Sequence, residues 1–270
     1  MSLESAAAPP SSSSSNTAVI ALAWLVRAVP LMAVGLIVGL VVPGLPWWVG
    51  VLVGAILALV RVLMVLRSAA SWLLAALGAT PAEESAHARY LNLVQGLSLA
   101  GGSGEPDVYV VESPGRNAAA VANGDTTAVV ATTGLLDSVD RIGLEAVVAE
   151  AVVRIGNGDA SASTVGAALL SPMLGGPLAP LTAPPARAGL TRLLGADRDL
   201  SADRGAVALT RYPPGLLGAL GAVREGSATI DTVPATLDHI WFVPPPSVGE
   251  SMGSPEFTPL DLRIDVLGEL

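Results

Sequence analysis

Apolar positions run almost unbroken from Ala18 to Val42 and again from Trp47 to Leu66, with Arg27 and Arg61 the only charges inside them. Runs of that length make helices of about 30 to 37 Å, enough to cross a bilayer. Pro43-Gly44-Leu45-Pro46 separates them as a tight turn. The pattern therefore predicts a transmembrane helical hairpin over 18–66, and the length of both runs argues against a buried hairpin of a soluble protein. Trp47 and Trp48 beside the turn suit an interfacial belt. Arg27 and Arg61 fall at similar distances from the turn and, with Arg67, put positive charge at one membrane face. The turn carries no charge, so the positive-inside rule places both ends of the hairpin in the cytoplasm. Residues 1–17, rich in Ala, Pro and Ser, have nothing to bury and are expected to be a disordered tail. They lack the basic start of a signal peptide.

From residue 71 to residue 270 the pattern changes to that of a mixed, mainly helical cytoplasmic domain. "SWLLAALGAT" reads as a helix, Thr80-Pro81 as a break, and the stretch opened by Glu83 and Glu84 as a second helix. "DVYVVE" from Asp107 alternates like a strand, and "TTAVVATT" from Thr126 is β-branched and reads as another. "NAAAVANGD" between them ends in an Asn-Gly turn and makes a hairpin-like unit. One helix is expected from Leu135 to about Ile155, opened by the capping acids Asp140 and Glu145 and ended by Gly156-Asn157-Gly158. Residues 160–190 are apolar but broken by prolines, too interrupted for a clear span. Helices follow over 187–209 and after Pro213-Pro214, then a strand-like stretch around His239 and Trp241 and a final "TPLDLRIDVL" segment.

Composition narrows the chemistry. The mean hydropathy of +0.61 is high for a soluble chain. Without cysteine there are no disulfides, thiolate zinc sites or cysteine nucleophiles. All 14 basic residues are arginines, which removes Schiff-base chemistry and a P-loop lysine. A net charge of −9, and −11 from residue 71 onward, argues against nucleic acid as a partner. No G-x-S-x-G elbow or phosphate loop is present, and "GGSGEP" at 101–106 reads as a turn. His87 and His239 are the only histidines and lie far apart in sequence. His87 sits in a polar helix and is expected to face solvent; His239 reads as a structural histidine.

In the stretch "VVAEAVVRIGNGD", Glu150 and Arg154 lie one helical turn apart inside an apolar run. Its surroundings carry a resemblance. "DVYVVES" followed by "NAAA", then "AVVATTGLLDSVDRIGLEAVVAEAVVRIGNGD", then "RDLSADRGAVALTRYPPGLLGAL", then "TPLDLRIDVL" resemble, in order, the segments of HtpX-type membrane zinc metallopeptidases. The resemblance covers roughly 18–270 and implies an α+β fold, with the hairpin followed by a zincin-like domain and a small β-sheet. It also implies that Asn117, Ala118, Ala119 and Ala120 form a peptide-binding edge, with Asn117 holding the edge strand.

The departures bear on activity. The family's catalytic helix reads A-H-E-x-x-H, in which histidines at i and i+4 bind zinc and the glutamate acts as general base. Here Glu150 and Arg154 stand at the two histidine places and Ala151 at the glutamate. Asp199 stands for the third ligand, and Phe257 for a histidine of the tail. Asn157, Asp159 and Asp203 match retained structural positions. A guanidinium stays protonated and repels Zn²⁺, so neither zinc nor any other cofactor, and no catalytic residue, is expected. Glu150, Arg154 and Asp199 are expected to meet across the former metal position. The expected function is a pseudopeptidase in the cell membrane: an adaptor, regulator or structural subunit of a membrane protein complex, in contact with the lipid bilayer. The alternative is an active metallopeptidase with a carboxylate-based metal site.

Overall fold

The computed structural model describes residues 28–174, 189–191, 194–195, 197–228, 230, 235–244 and 257–270. The expected tail at 1–17, the start of the first apolar run with Arg27, and most of the proline-rich part of 160–190 lie outside these residues. Helix α1 is described over Ala28–Val41 and α2 over Trp47–Ala76. They pack antiparallel with their backbones nearly touching. A Cβ on Gly35 would lie 2.1 Å from the carbonyl oxygen of Gly50, and one on Gly54 2.4 Å from that of Leu31. Only glycine permits that approach. Large side chains fill the outward faces: Ile37, Leu40, Trp47, Trp48, Ile56 and Met64 are all more than half exposed.

The sequence pattern places a boundary between 66 and 71, but α2 runs straight through it. No proline or glycine interrupts "RSAASWLLAA", and the helix stops only at Leu77 before Gly78, which takes a positive φ of 64°. Its last turns bury Ala69, Ala70, Leu73 and Leu74 in the domain. The hairpin and the domain therefore share one rigid helix.

Strands β1 (Thr80–Pro81), β2 (Asp107–Val111), β3 (Ala118–Asn123) and β4 (Thr126–Thr132) form one sheet in the order β1-β2-β4-β3. β2 and β4 are parallel, while β3 pairs antiparallel with β4 through a two-residue turn at Gly124-Asp125. The Thr80-Pro81 break thus doubles as an edge strand on β2. Alternate residues of β3 serve two cores, as a pleated strand requires. Ala118, Ala120 and Ala122 face the main core with Val147, Val148 and Ala151. Ala119 and Val121 face a second core with Leu73, Leu77 and Trp241. Covered on both faces, the strand carries no polar alternation.

After α3 (Glu84–Ala100) and the sheet come α4 (Thr133–Ser138) and α5 (Arg141–Gly156). These are two helices where the apolar pattern predicts one. Val139 is extended at ψ 144°, and Asp140 restarts the helix by accepting the Gly143 N–H at 2.7 Å. Helix α5 is then enclosed by the sheet and by α3, α6 (Asp159–Leu174), α7 (Arg198–Thr210) and α8 (Pro213–Glu225). The two prolines that open α8 occupy its first turn, where the missing N–H costs nothing. The stretch around His239 is a 3₁₀ turn, Ala235–Ile240, rather than a strand, although Trp241 then bridges to Ala119. Helix α9 (Leu260–Gly268) closes the described chain. The fold is α+β, mainly helical around a small sheet.

Candidate functional site

Because the C-terminal half of α5 is enclosed, the two charges there, Glu150 and Arg154, have no solvent to reach. Glu150 and Arg154 are both 2% exposed, and their side chains turn to each other. Arg154 donates from Nε to Glu150 Oε1 at 2.6 Å, from Nη2 to Asp199 Oδ1 at 2.9 Å, and from Nη1 to Asp159 Oδ2 at 3.2 Å. One guanidinium thus ties α5 to α6 and α7. A second arginine extends the cluster. Arg198 Nη1 reaches Ser163 Oγ at 2.8 Å and Asp159 Oδ1 at 3.3 Å, and its Nη2 donates to the His239 carbonyl. A third, Arg263 of α9, makes a two-pronged pair with Asp203 at 2.7 and 2.8 Å. Its Nη1 donates to the Phe242 carbonyl at 2.6 Å, and its guanidinium lies over the Phe242 ring at 4.9 Å. Paired two-pronged contacts of this kind hold geometry as well as charge.

The cluster joins four carboxyls to three guanidiniums, so its balance tips negative. Burial pushes the Glu150 carboxyl up to about 7, against the pull of Arg154 and Arg263 and with a push from Asp203. Asp199 moves the other way, to about 2; burial alone would raise it, but Arg154, Arg198 and Arg263 outweigh that. Burial also works against the Arg154 charge, and Glu150, Asp199 and Asp159 more than reverse it.

These shifts set opposite pH dependences. Glu150 holds its proton more tightly folded than unfolded, so stability is highest below 4.5 and falls as pH rises through about 7. Asp199 stabilises above 3.8 and ceases to do so as pH falls towards 2. The Glu150 window predicts a loss of up to about 3 kcal/mol between pH 5 and pH 8. Glu150→Gln keeps an oxygen for Arg154 Nε and should abolish that slope, leaving the variant more stable than wild type at pH 8. Urea unfolding across this pH range measures it. A variant weaker than wild type at pH 8 would mean that the ionised Glu150 carboxylate is a net stabiliser.

The structure brings together Glu150, Arg154, Asp159 and Asp199, with Asp203 alongside in its own pair. Ala151, which the resemblance sets at the place of a general base, is packed in the main core. Asn157 is exposed and outside the cluster, where its Oδ1 accepts the Asp159 N–H at 2.9 Å and shapes the turn into α6. Asn117 is fully buried and binds Val243 through both ends of its amide: Nδ2 to the carbonyl at 2.6 Å, Oδ1 from the N–H at 3.1 Å. Ala118, Ala119 and Ala120, read as an open edge for a peptide, are buried, and Phe242 N–H already donates to the Ala118 carbonyl at 2.7 Å. His239 is buried with its ring 4.8 Å from that of Phe257. His87 is half-buried rather than fully solvent-facing, its Nδ1 accepting the Glu83 N–H at 3.2 Å.

Arg198 and Arg263 are the participants that sequence reasoning misses. Arg198 adjoins Asp199 in a charged stretch that looks solvated, and Arg263 stands between two acids in "LDLRIDVL". An isolated arginine between leucine and isoleucine is the one signal that Arg263 has a buried partner.

Several curated relatives are proteases by name. Over 205 residues the chain is 31% identical to the Protease HtpX homolog of Dictyoglomus thermophilum, covering 64% of this chain and 66% of that one. It is similar to HtpX homologues. The homologue from Listeria monocytogenes is 28% identical over 240 residues, covering 73% of this chain and 78% of its own. That from Limosilactobacillus reuteri is 28% identical over 208 residues, covering 63% and 68%. The chain spans less than two thirds of the length of the homologues from Dictyoglomus thermophilum and Dictyoglomus turgidum, 66% and 60%. No family model matches the chain, and no solved structure matches it.

The zinc that the resemblance implies does not fit the donors that meet around Arg154. Zinc takes neutral imidazoles, thiolates and carboxylates around a central ion. Here the carboxylates of Glu150, Asp159 and Asp199 converge on a guanidinium that stays charged.

Proposed function

We propose that this chain is an inactive member of the HtpX family, anchored in a membrane by the α1–α2 hairpin and working as an adaptor, regulator or structural subunit of a membrane protein complex. The observation that carries the reading is the Arg154 guanidinium, held by Glu150, Asp159 and Asp199, where the resemblance would put the metal. That pairing supplies neither a Lewis acid nor an activated water, and Ala151 has no group to take a proton. The apolar outward faces of α1 and α2 support the membrane assignment, since bare aliphatic surface of that extent needs lipid or protein cover. In this reading both ends of the hairpin are cytoplasmic and the rigid continuation of α2 carries the domain at the membrane face.

The test is metal content and proteolysis of the full chain purified in lipid nanodiscs. The expected result is no retained zinc and no cleavage of an unfolded protein substrate with zinc supplied. One equivalent of tightly held metal, with cleavage that Glu150→Ala abolishes, would replace this proposal with an active enzyme using a carboxylate-based site.

A further inference from the structure

We infer that residues 239–243 are a strap that fills the β3 edge beside α5 in cis, closing it to any other extended chain. The inference rests on the HtpX-type reading, under which this edge would receive a peptide strand. The strap behaves as an added strand over its short length. Trp241 forms an antiparallel bridge with Ala119, and the Phe242 N–H donates to the Ala118 carbonyl at 2.7 Å. Its side chains alternate as a strand's do: Trp241 enters the core on the α2 side and Phe242 the core on the α5 side, both almost wholly buried. Further along β3, the Ala122 N–H is taken by Thr164 Oγ1 of α6 at 3.1 Å.

The buried cluster supplies the clamps. Arg198 donates to the His239 carbonyl and Arg263 to the Phe242 carbonyl. Asn117 reads Val243 from the other side, with its side-chain amide taking both the carbonyl and the N–H as a paired backbone would. The two arginines other than Arg154 therefore join the charge cluster to the strap. Strand addition needs unpaired backbone groups and pockets for alternate side chains. Here backbone groups of Ala118 and Ala122 are paired within the chain, and the spaces beside β3 hold Trp241 and Phe242. Strand addition by a partner at this edge is accordingly closed.

Hydrogen exchange of the full chain in nanodiscs tests this, with a labelled peptide of residues 237–244 as the competing strand. The amides of Phe242 and Val243 should exchange no faster than those of Val147 to Val152 in α5, and the peptide should show no saturable binding. Asn117→Ala should speed exchange at Val243 roughly tenfold while α5 stays protected, the effect of losing its side-chain partner. Fast exchange of Phe242 and Val243 in wild type over a protected α5, or saturable peptide binding by wild type, overturns the inference. If Asn117→Ala does not fold, the wild-type rates and peptide binding decide alone. Retained zinc or proteolysis would end the inactive reading without altering these rates, whereas an open strap would leave that reading standing.

Discussion

Arg154→Met is expected to destabilise the domain by about 3–5 kcal/mol, the usual result of removing one partner from a buried ion pair. The side chain lost makes hydrogen bonds to three carboxyls on three helices. Methionine fills much of the volume but satisfies none of them. Asp199 keeps Arg198 at 3.6 Å and Asp159 keeps it at 3.3 Å, so the cluster is weakened rather than abolished. The deficit should shrink as pH falls, because Glu150 sheds its charge first. Thermal unfolding of the full chain in detergent at pH 8 and pH 5 measures both effects. A companion variant separates the cluster from its parts. Replacing Glu150, Arg154 and Asp199 together by Leu, Met and Leu should cost far less than Arg154→Met alone, since an apolar substitute of similar volume is often neutral for a buried charge group. Unchanged stability of Arg154→Met would show that the cluster has no structural role.

How much of this was readable beforehand depends on the residue. Elements with a strong local signature are visible in the chain: β2 and β4 through alternation and β-branched residues, the β3–β4 turn through Asn-Gly, the C-terminal end of α5 through Gly156-Asn157-Gly158. The break between α4 and α5 is hidden because Val139 is apolar and continues the helical pattern, while the Asp140 cap that causes it looks like an ordinary first-turn acid. The continuity of α2 is hidden for the opposite reason, since a fall in hydropathy after Leu66 looks like a boundary while the helix persists. At the site, Glu150 and Arg154 are readable because an i, i+4 pair on an apolar helix has to find each other, and Asp199 because aligned segments put it opposite. Arg198 and Arg263 depend on where α6, α7, the strap and α9 meet, separations of 21 to 60 residues along the chain, and no local pattern encodes that. The edge at Asn117 to Ala120 is misread for the same reason: the segment that covers it lies more than 120 residues away.

Converting the three departures on α5 back, E150H/A151E/R154H, should raise zinc retention to about one equivalent, against the none expected of wild type. The i, i+4 spacing puts both imidazoles on one helix face, where Arg154 now touches Glu150 and Asp199 at 2.6 and 2.9 Å. Asp199 is the third donor, already ionised, and a water or Asp159 completes the four positions that zinc prefers. Removing the guanidinium leaves Asp159, Asp199 and Asp203, with the carboxyl that A151E adds, against Arg198 and Arg263, a deficit that a divalent cation offsets. The variant without metal should therefore be weaker than wild type. With zinc at about a thousand times its dissociation constant it should regain about 4 kcal/mol, since the ion binds the folded state alone. Metal analysis and the zinc dependence of the unfolding temperature read the two effects separately, and neither depends on catalysis. A folded variant that retains no zinc would mean that α5 and α7 are not spaced as a metal site requires, and the alignment of Glu150, Arg154 and Asp199 with ligand positions would fail with it.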